Sequence, residues 1–267
     1  ARPDHPRQVV QRGLDVGAAH RLDEGADDVV VLVAVAVVAD GRPVDGPLDG
    51  RDGVAVLMRY TLRLLTAQQF QRATTLICAA ERVRSADPQT WGTVPFRIGL
   101  WVGSAVTPKR VGEAAAGVAA AHERGTRRLP VLQLRRCPWC GHSITPAQVR
   151  VDEAAGRVFV RCGDPRQRCP FAEGGEVRDG LPVLTTDEEI YRLTPAFVVG
   201  TVDKFARLAR EGEAAALFGY VGERCERHGY VHPDSTACTI AHQGRHPAKG
   251  GLPAARRLPH SRLRPPD

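Results

Sequence analysis

The chain has 267 residues, 43% of them hydrophobic and 25% charged, with a formal net charge of +7. That is enough to bury a core in one large or two small domains. The longest apolar run, Val29 to Ala39, falls short of the roughly 18 residues a membrane helix needs and follows acidic Asp27 and Asp28, so no membrane span or secretion leader is expected and the reading is cytoplasmic.

Of the 37 basic residues, 34 are arginine, and asparagine is absent. This skew reads as a coding bias, so the charge permits a nucleic-acid partner without requiring one. Residues 1–52 lack Lys, Ser, Thr, Cys, Met, Ile, Phe, Tyr and Trp and carry a net −4. Only Val29–Val38 there resembles a strand or short buried helix, and a segment without aromatics builds a core poorly. Order is therefore expected to begin near Gly53.

Val54–Met58 is a continuous apolar run, as in a buried parallel strand. Leu62, Leu65, Phe70, Ala73, Leu76, Ile77, Ala80 and Val83 follow at near-helical spacing, with Thr66 as a candidate cap. Phe96–Val102 reads as a second strand, and Pro108 as the first residue of an alanine-rich helix reaching about His122. This order predicts a βαβ unit in a parallel sheet. Ala196–Gly200 is a third strand and Val202–Arg210 a following helix.

Between these elements lies Cys137-Pro-Trp-Cys140-Gly-His, then Cys162 and Cys169. A CxxC pair backed by glycine is a knuckle whose tight turn aims two thiolates at one metal. A hairpin of Val149–Val151 and Arg157–Arg161 separates the two cysteine pairs, the layout of a zinc ribbon. Cys137, Cys140, Cys162 and Cys169 are thus expected to hold one structural zinc. A redox CxxC would leave Cys162 and Cys169 unexplained. His142 reads as a solvated neighbour. The arginines of 135–169 could track phosphates or simply offset the negative zinc–thiolate centre. Cys225, His228, His232 and Cys238 are also ligand types at tight spacing, for a second metal or as surface histidines in a loop.

Two strand ends carry polar groups where parallel sheets place their chemistry. After the first strand come Arg59, Thr61, Arg63 and Gln68. After the third come Gly200, Thr201 and Lys204. Hydroxyls, cations and helix N-termini there suit a phosphate, although an ordinary strand–turn–helix junction with a cap would look the same.

Taken together, the two ends resemble motifs Ia and Ib of superfamily 2 helicases. The strings LMRYTLRLLTAQQFQRA and DEEIYRLTPAFVVGTVDKFARLA, with CPWCGH between them, are similar to the helicase subunit of the bacterial DISARM antiphage system over about residues 53–235. The resemblance implies a partial RecA-like α/β domain with an inserted zinc ribbon, DNA as partner, and other subunits of a defence complex. It carries backbone contact with the tracking strand onto Thr61, Arg63, Gln68, Thr201 and Lys204. ATP and Mg²⁺ serve the intact family, but no Gly-Lys-Thr/Ser of a P-loop occurs here. Asp187-Glu188-Glu189 precedes motif Ib, the wrong order for an acidic ATPase motif, and reads as a solvated acidic helix start.

The expected divisions are 1–52, an atypical segment; 53–128 and 181–238, two parts of the RecA-like domain; 129–180, the ribbon; and 239–267, a Pro/Arg-rich tail of net +5. The two compositional breaks read as out-of-frame or damaged coding around a helicase fragment without its own ATPase. The alternative is a non-enzymatic zinc-ribbon nucleic-acid-binding module. An interaction remnant without activity comes third, and a zinc hydrolase last, for want of an open metal position and a general base.

Overall fold

Alternation of side chains along four short strands creates a sheet with two apolar faces. The computed structural model describes residues 53–60, 63–126, 128–218, 220–233, 238–249 and 251–259, except for the side chains of 60, 63–66 and 209. The Val29–Val38 run and the whole 1–52 segment lie outside the described residues.

The chain runs β1 (Val56–Tyr60), α1 (Arg63–Ala86), α2 (Pro88–Trp91), β2 (Ile98–Trp101) and α3 (Val111–Arg124). A hairpin of β3 (Val149–Asp152) and β4 (Arg157–Val160) follows, then β5 (Val183–Leu184), α4 (Asp187–Leu193), β6 (Phe197–Thr201) and α5 (Val202–Arg207). β7 (Glu223–Cys225), β8 (Gly229–Val231), β9 (Arg245–His246) and β10 (Ala255–Pro259) complete it. β1, β6, β2 and β5 lie in that order, all parallel. The expected parallel sheet is present, with β6 between β1 and β2. β1 pairs on one side only among the described residues, and Val56 is 40% exposed, against the buried strand expected.

Neighbouring residues on each strand point to opposite faces. Leu100, Val183 and Val199 join one apolar cluster, while Trp101, Leu184 and Val198 join the other. The first cluster takes Phe70, Ile77 and Cys78 from α1 and Val111, Ala114 and Val118 from α3. These spacings are the apolar stripes of amphipathic helices. Ribbon residues Ile144, Val149, Val158, Val160 and Phe171 belong to this same cluster. The ribbon therefore has no separate core: it is a wall of the sheet's own.

α3 begins three residues later than expected, at Val111 rather than Pro108, because its cap comes from elsewhere in the chain. The Val111 N–H donates to Glu188 Oε2 at 2.9 Å, across from α4. α1 begins at Arg63, so Thr66 falls inside its first turn and its side chain is outside the description.

The tail expected from 239 onward contains two strands. β10 pairs antiparallel with β7 and with β9, giving a second sheet of order β8-β7-β10-β9. Backbone hydrogen bonds need no aromatic core, and composition alone gave no sign of this pairing. β7 and β8, from the 181–238 stretch, lie in this antiparallel sheet and not in the parallel one.

Candidate metal centre and strand-end junctions

The knuckle is closed by two backbone hydrogen bonds, Cys137 N–H to His142 O at 2.8 Å and Gly141 N–H to Cys137 O at 2.9 Å. Gly141 adopts φ +77°, a left-handed turn that glycine enters without strain. The opposite half is organised by Asp164. Its carboxylate accepts from the backbone N–H groups of Arg166, Arg168 and Cys169 at 2.9 to 3.0 Å. These bonds hold the carboxyl below its ordinary range, as bonds to the charged form do.

The four sulfurs lie within 4.8 Å of one another, and Cys137–Cys169 and Cys140–Cys162 are separated by 3.8 and 3.3 Å. Tetrahedral coordination with zinc–sulfur bonds of about 2.3 Å puts two sulfurs about 3.8 Å apart. A disulfide needs about 2.05 Å, and all four are free thiols. This cluster can hold a metal ion such as zinc. His142 is an exposed neighbour, its Nδ1 3.3 Å from Cys140 Sγ. Burial acts to raise the Cys140 thiol, but hydrogen bonds from His142 and the facing cysteines bring it down to about 7. Cys78, on α1, lies buried behind the site. Burial pushes its thiol up, with Cys137 and Cys169 adding, and it is not among the four converging sulfurs.

Gly163 packs so closely that a Cβ there would stand 2.1 Å from Ser143 O. Gly163→Ala is expected to lower stability by about 1–3 kcal/mol, as overpacking does, read as a lower urea midpoint. An unchanged midpoint would show that the knuckle and the Asp164 loop are not in contact.

The strand-end groups separate into exposed and buried sets. Arg59 and Gln68 are exposed. The side chains of Thr61 and Arg63 lie outside the description. Parallel pairing places Arg59 opposite Gly200 and Tyr60 opposite Thr201, so both junctions end at the same edge. A Cβ on Gly200 would press on Trp101 and Phe205 at 3.1 to 3.3 Å, which is a packing reason for glycine. Thr201 sits at the N-cap of α5, but its buried Oγ1 makes no cap bond. Lys204 is 3% exposed and its ammonium meets Asp187, with Glu211 at 3.7 Å. Tyr191 links this group to Trp101, accepting from the indole N–H and donating to Glu211, each at 2.9 Å.

The acidic run after β5 is not solvated, as the sequence reading had it. Asp187 faces Lys204, and burial pushes its carboxyl upward while the ammonium pulls it back. Glu188 caps α3. Glu189 is fully buried and accepts from Val158 N–H at 2.9 Å and Arg157 at 3.2 Å. Thr186 caps α4, accepting from Glu189 N–H. The Thr186-x-x-Glu189 spacing is a capping-box pattern that was legible in the sequence. Its tertiary partners were not.

Cys225, His228 and Cys238 do converge, but their fourth companion is His246, not His232. His232 instead lines a small cleft with Glu188, Tyr191, Glu213 and Tyr230. The register explains the exchange. Cys225 pairs with Gly229 at the closed end of the β7–β8 hairpin, while Glu223 pairs with Val231 at the open end, which leaves His232 there. Among the described residues, no helix is long and apolar enough to cross a membrane.

No family model matches the chain. It is similar to the DISARM protein DrmA of Bacillus paralicheniformis, 35% identical in an alignment of 192 positions that covers 67% of this chain and 16% of DrmA's length. That homology supports a DISARM-related family for this chain.

Proposed function

We propose that this chain is a DNA-backbone-contacting part of a DISARM-type superfamily 2 helicase, acting in antiphage defence beside other subunits, and that it does not hydrolyse ATP alone. The fold in this reading is a partial RecA-like domain with a structural zinc ribbon at Cys137, Cys140, Cys162 and Cys169. The observation that carries it is the register Arg59–Gly200 and Tyr60–Thr201. Two junctions far apart in the chain end side by side, at the carboxyl edge of one parallel sheet. In this reading the exposed Arg59 and Gln68 meet phosphates, a role that the resemblance extends to Thr61 and Arg63. Lys204 and Thr201, being buried, hold the junction in place rather than reaching the strand.

Full-chain binding to single- and double-stranded DNA, titrated across salt, tests this. Arg59→Ala is expected to weaken binding uniformly across sequences and to reduce the salt slope by about one. Binding that is unchanged in Arg59→Ala and Gln68→Ala would refute the strand-end site.

A second reading is favoured by the exposed Arg135, Arg136, Arg150, Arg166 and Arg168 of the ribbon. If alanines at Arg150, Arg166 and Arg168 abolish binding while Arg59→Ala does not, the chain is a zinc-ribbon nucleic-acid module instead.

A further inference from the structure

The C-terminal sheet gathers a second set of four ligand-type side chains. Cys225 and His228 flank the β7–β8 turn, Cys238 lies in the loop that follows β8, and His246 is on β9. All four are buried, at 0 to 7% exposure, and their ligand atoms lie within 4.8 Å of one another. We propose that Cys225, His228, Cys238 and His246 form a second, closed Cys₂His₂ zinc site that ties this sheet together and anchors it to the ribbon hairpin.

The geometry supports a metal over a chance cluster. Cys225 Sγ lies 3.6 Å from His228 Nδ1, and Cys238 Sγ 3.4 Å from His246 Nε2. With zinc–sulfur bonds of about 2.3 Å and zinc–nitrogen bonds of about 2.0 Å, tetrahedral geometry puts sulfur and nitrogen about 3.5 Å apart. The two rings stand edge to face, with centroids 4.7 Å apart, so both present a nitrogen to one point without stacking.

The second observation lies outside the cluster. His228 Nε2 is 3.2 Å from Ala154 O, in the turn between β3 and β4. A metal-bound histidine usually donates its other N–H to a carbonyl or carboxylate, which fixes the tautomer and leaves the remaining nitrogen to bind. Here that bond leaves Nδ1 facing Cys225. It also fastens the second site to the ribbon.

The donor set argues for structure rather than chemistry. Two thiolates neutralise a divalent ion, so the centre is uncharged and suited to burial. Four protein ligands leave no position for water, so no hydrolytic role follows. The site supplies what this stretch lacks, because residues 239–259 contain no aromatic side chain and, among the described residues, its small apolar cluster is Cys225, Val231 and Cys238 with Ile240 packed against them.

Metal analysis of the full chain purified without chelator tests the proposal. Two zinc ions per chain are expected, falling to one in His246→Ala and staying at two in His232→Ala. Where His246→Ala does not fold, Co²⁺ titration of the unaltered chain gives the same answer: two tetrahedral ions, one with four thiolates and one with mixed thiolate and imidazole ligation. A single ion per unaltered chain with four-thiolate ligation, no ion at all, or a Cys225–Cys238 disulfide in protein purified without oxygen, overturns it. Failure of the ribbon site alone is distinguishable, since it would leave one ion with mixed ligation.

Discussion

Replacing Cys137 and Cys162 together with serine is expected to abolish cooperative folding of far more than the ribbon. Structural zinc in small domains contributes roughly 10–16 kcal/mol of apparent folding free energy, on the scale of the ~5–15 kcal/mol that holds a whole domain together. The ribbon's Val149, Val158, Val160 and Phe171 share one apolar cluster with Phe70 of α1, Ile98 of β2 and Val111 of α3. Once the four thiolates cease to converge, those side chains lose their backing and the sheet loses one cover. Circular dichroism during heating should show a broad, early loss of signal in place of a single transition. A variant that melts as the unaltered chain does would mean that apolar packing alone holds the ribbon, and the metal is incidental.

Arg192→Ala is expected to cost about 3–5 kcal/mol, the range for removing one partner from a buried charged network. Its guanidinium donates to His228 O at 2.9 Å and to Gly156 O, and Glu188 stands 3.6 Å away. One side chain of α4 thus bridges the ribbon turn and the β7–β8 turn. Glycine is required on both sides. A Cβ on Gly156 would meet the guanidinium at 2.7 Å, and one on Gly229 would meet Arg192 O at 2.3 Å. Burial lowers the pKa of Arg192, and Glu188 and Glu189 act to restore it. Truncation would strand two carbonyls and leave both carboxylates without that cation. Arg192→Lys should recover little, because a single ammonium lacks the fork that reaches two carbonyls at once. Urea unfolding of both variants checks this, and a loss below about 1 kcal/mol would show that the two turns are held by other means.

How much was legible in advance depended on the range of the interaction. The four-cysteine cluster was readable because CxxC sets two thiols within one turn, whatever surrounds it. The strands at Val56–Tyr60, Ile98–Trp101 and Phe197–Thr201 were readable within a residue or two, because apolar runs bounded by turns are local features. Lys204 was not readable in the same way. Its sequence context, a cation one turn into a helix after a strand, suits a phosphate. Asp187, seventeen positions earlier, meets it only because β5 and β6 place α4 and α5 at the same edge of the sheet.

The sequence by itself determined the pieces: a parallel-sheet α/β chain, a four-cysteine centre, and two polar strand ends. Tertiary structure alone decided their partners. It brought Arg59 beside Gly200, turned an acidic run from a solvated surface into buried caps and ion pairs, chose His246 over His232, and drew residues 245–246 and 255–259 into a sheet. The physical reason is common to all four. Hydrophobic period and knuckle spacing are encoded by neighbours in sequence, whereas strand register and the pairing of buried charges are set by contacts between segments that nothing local specifies.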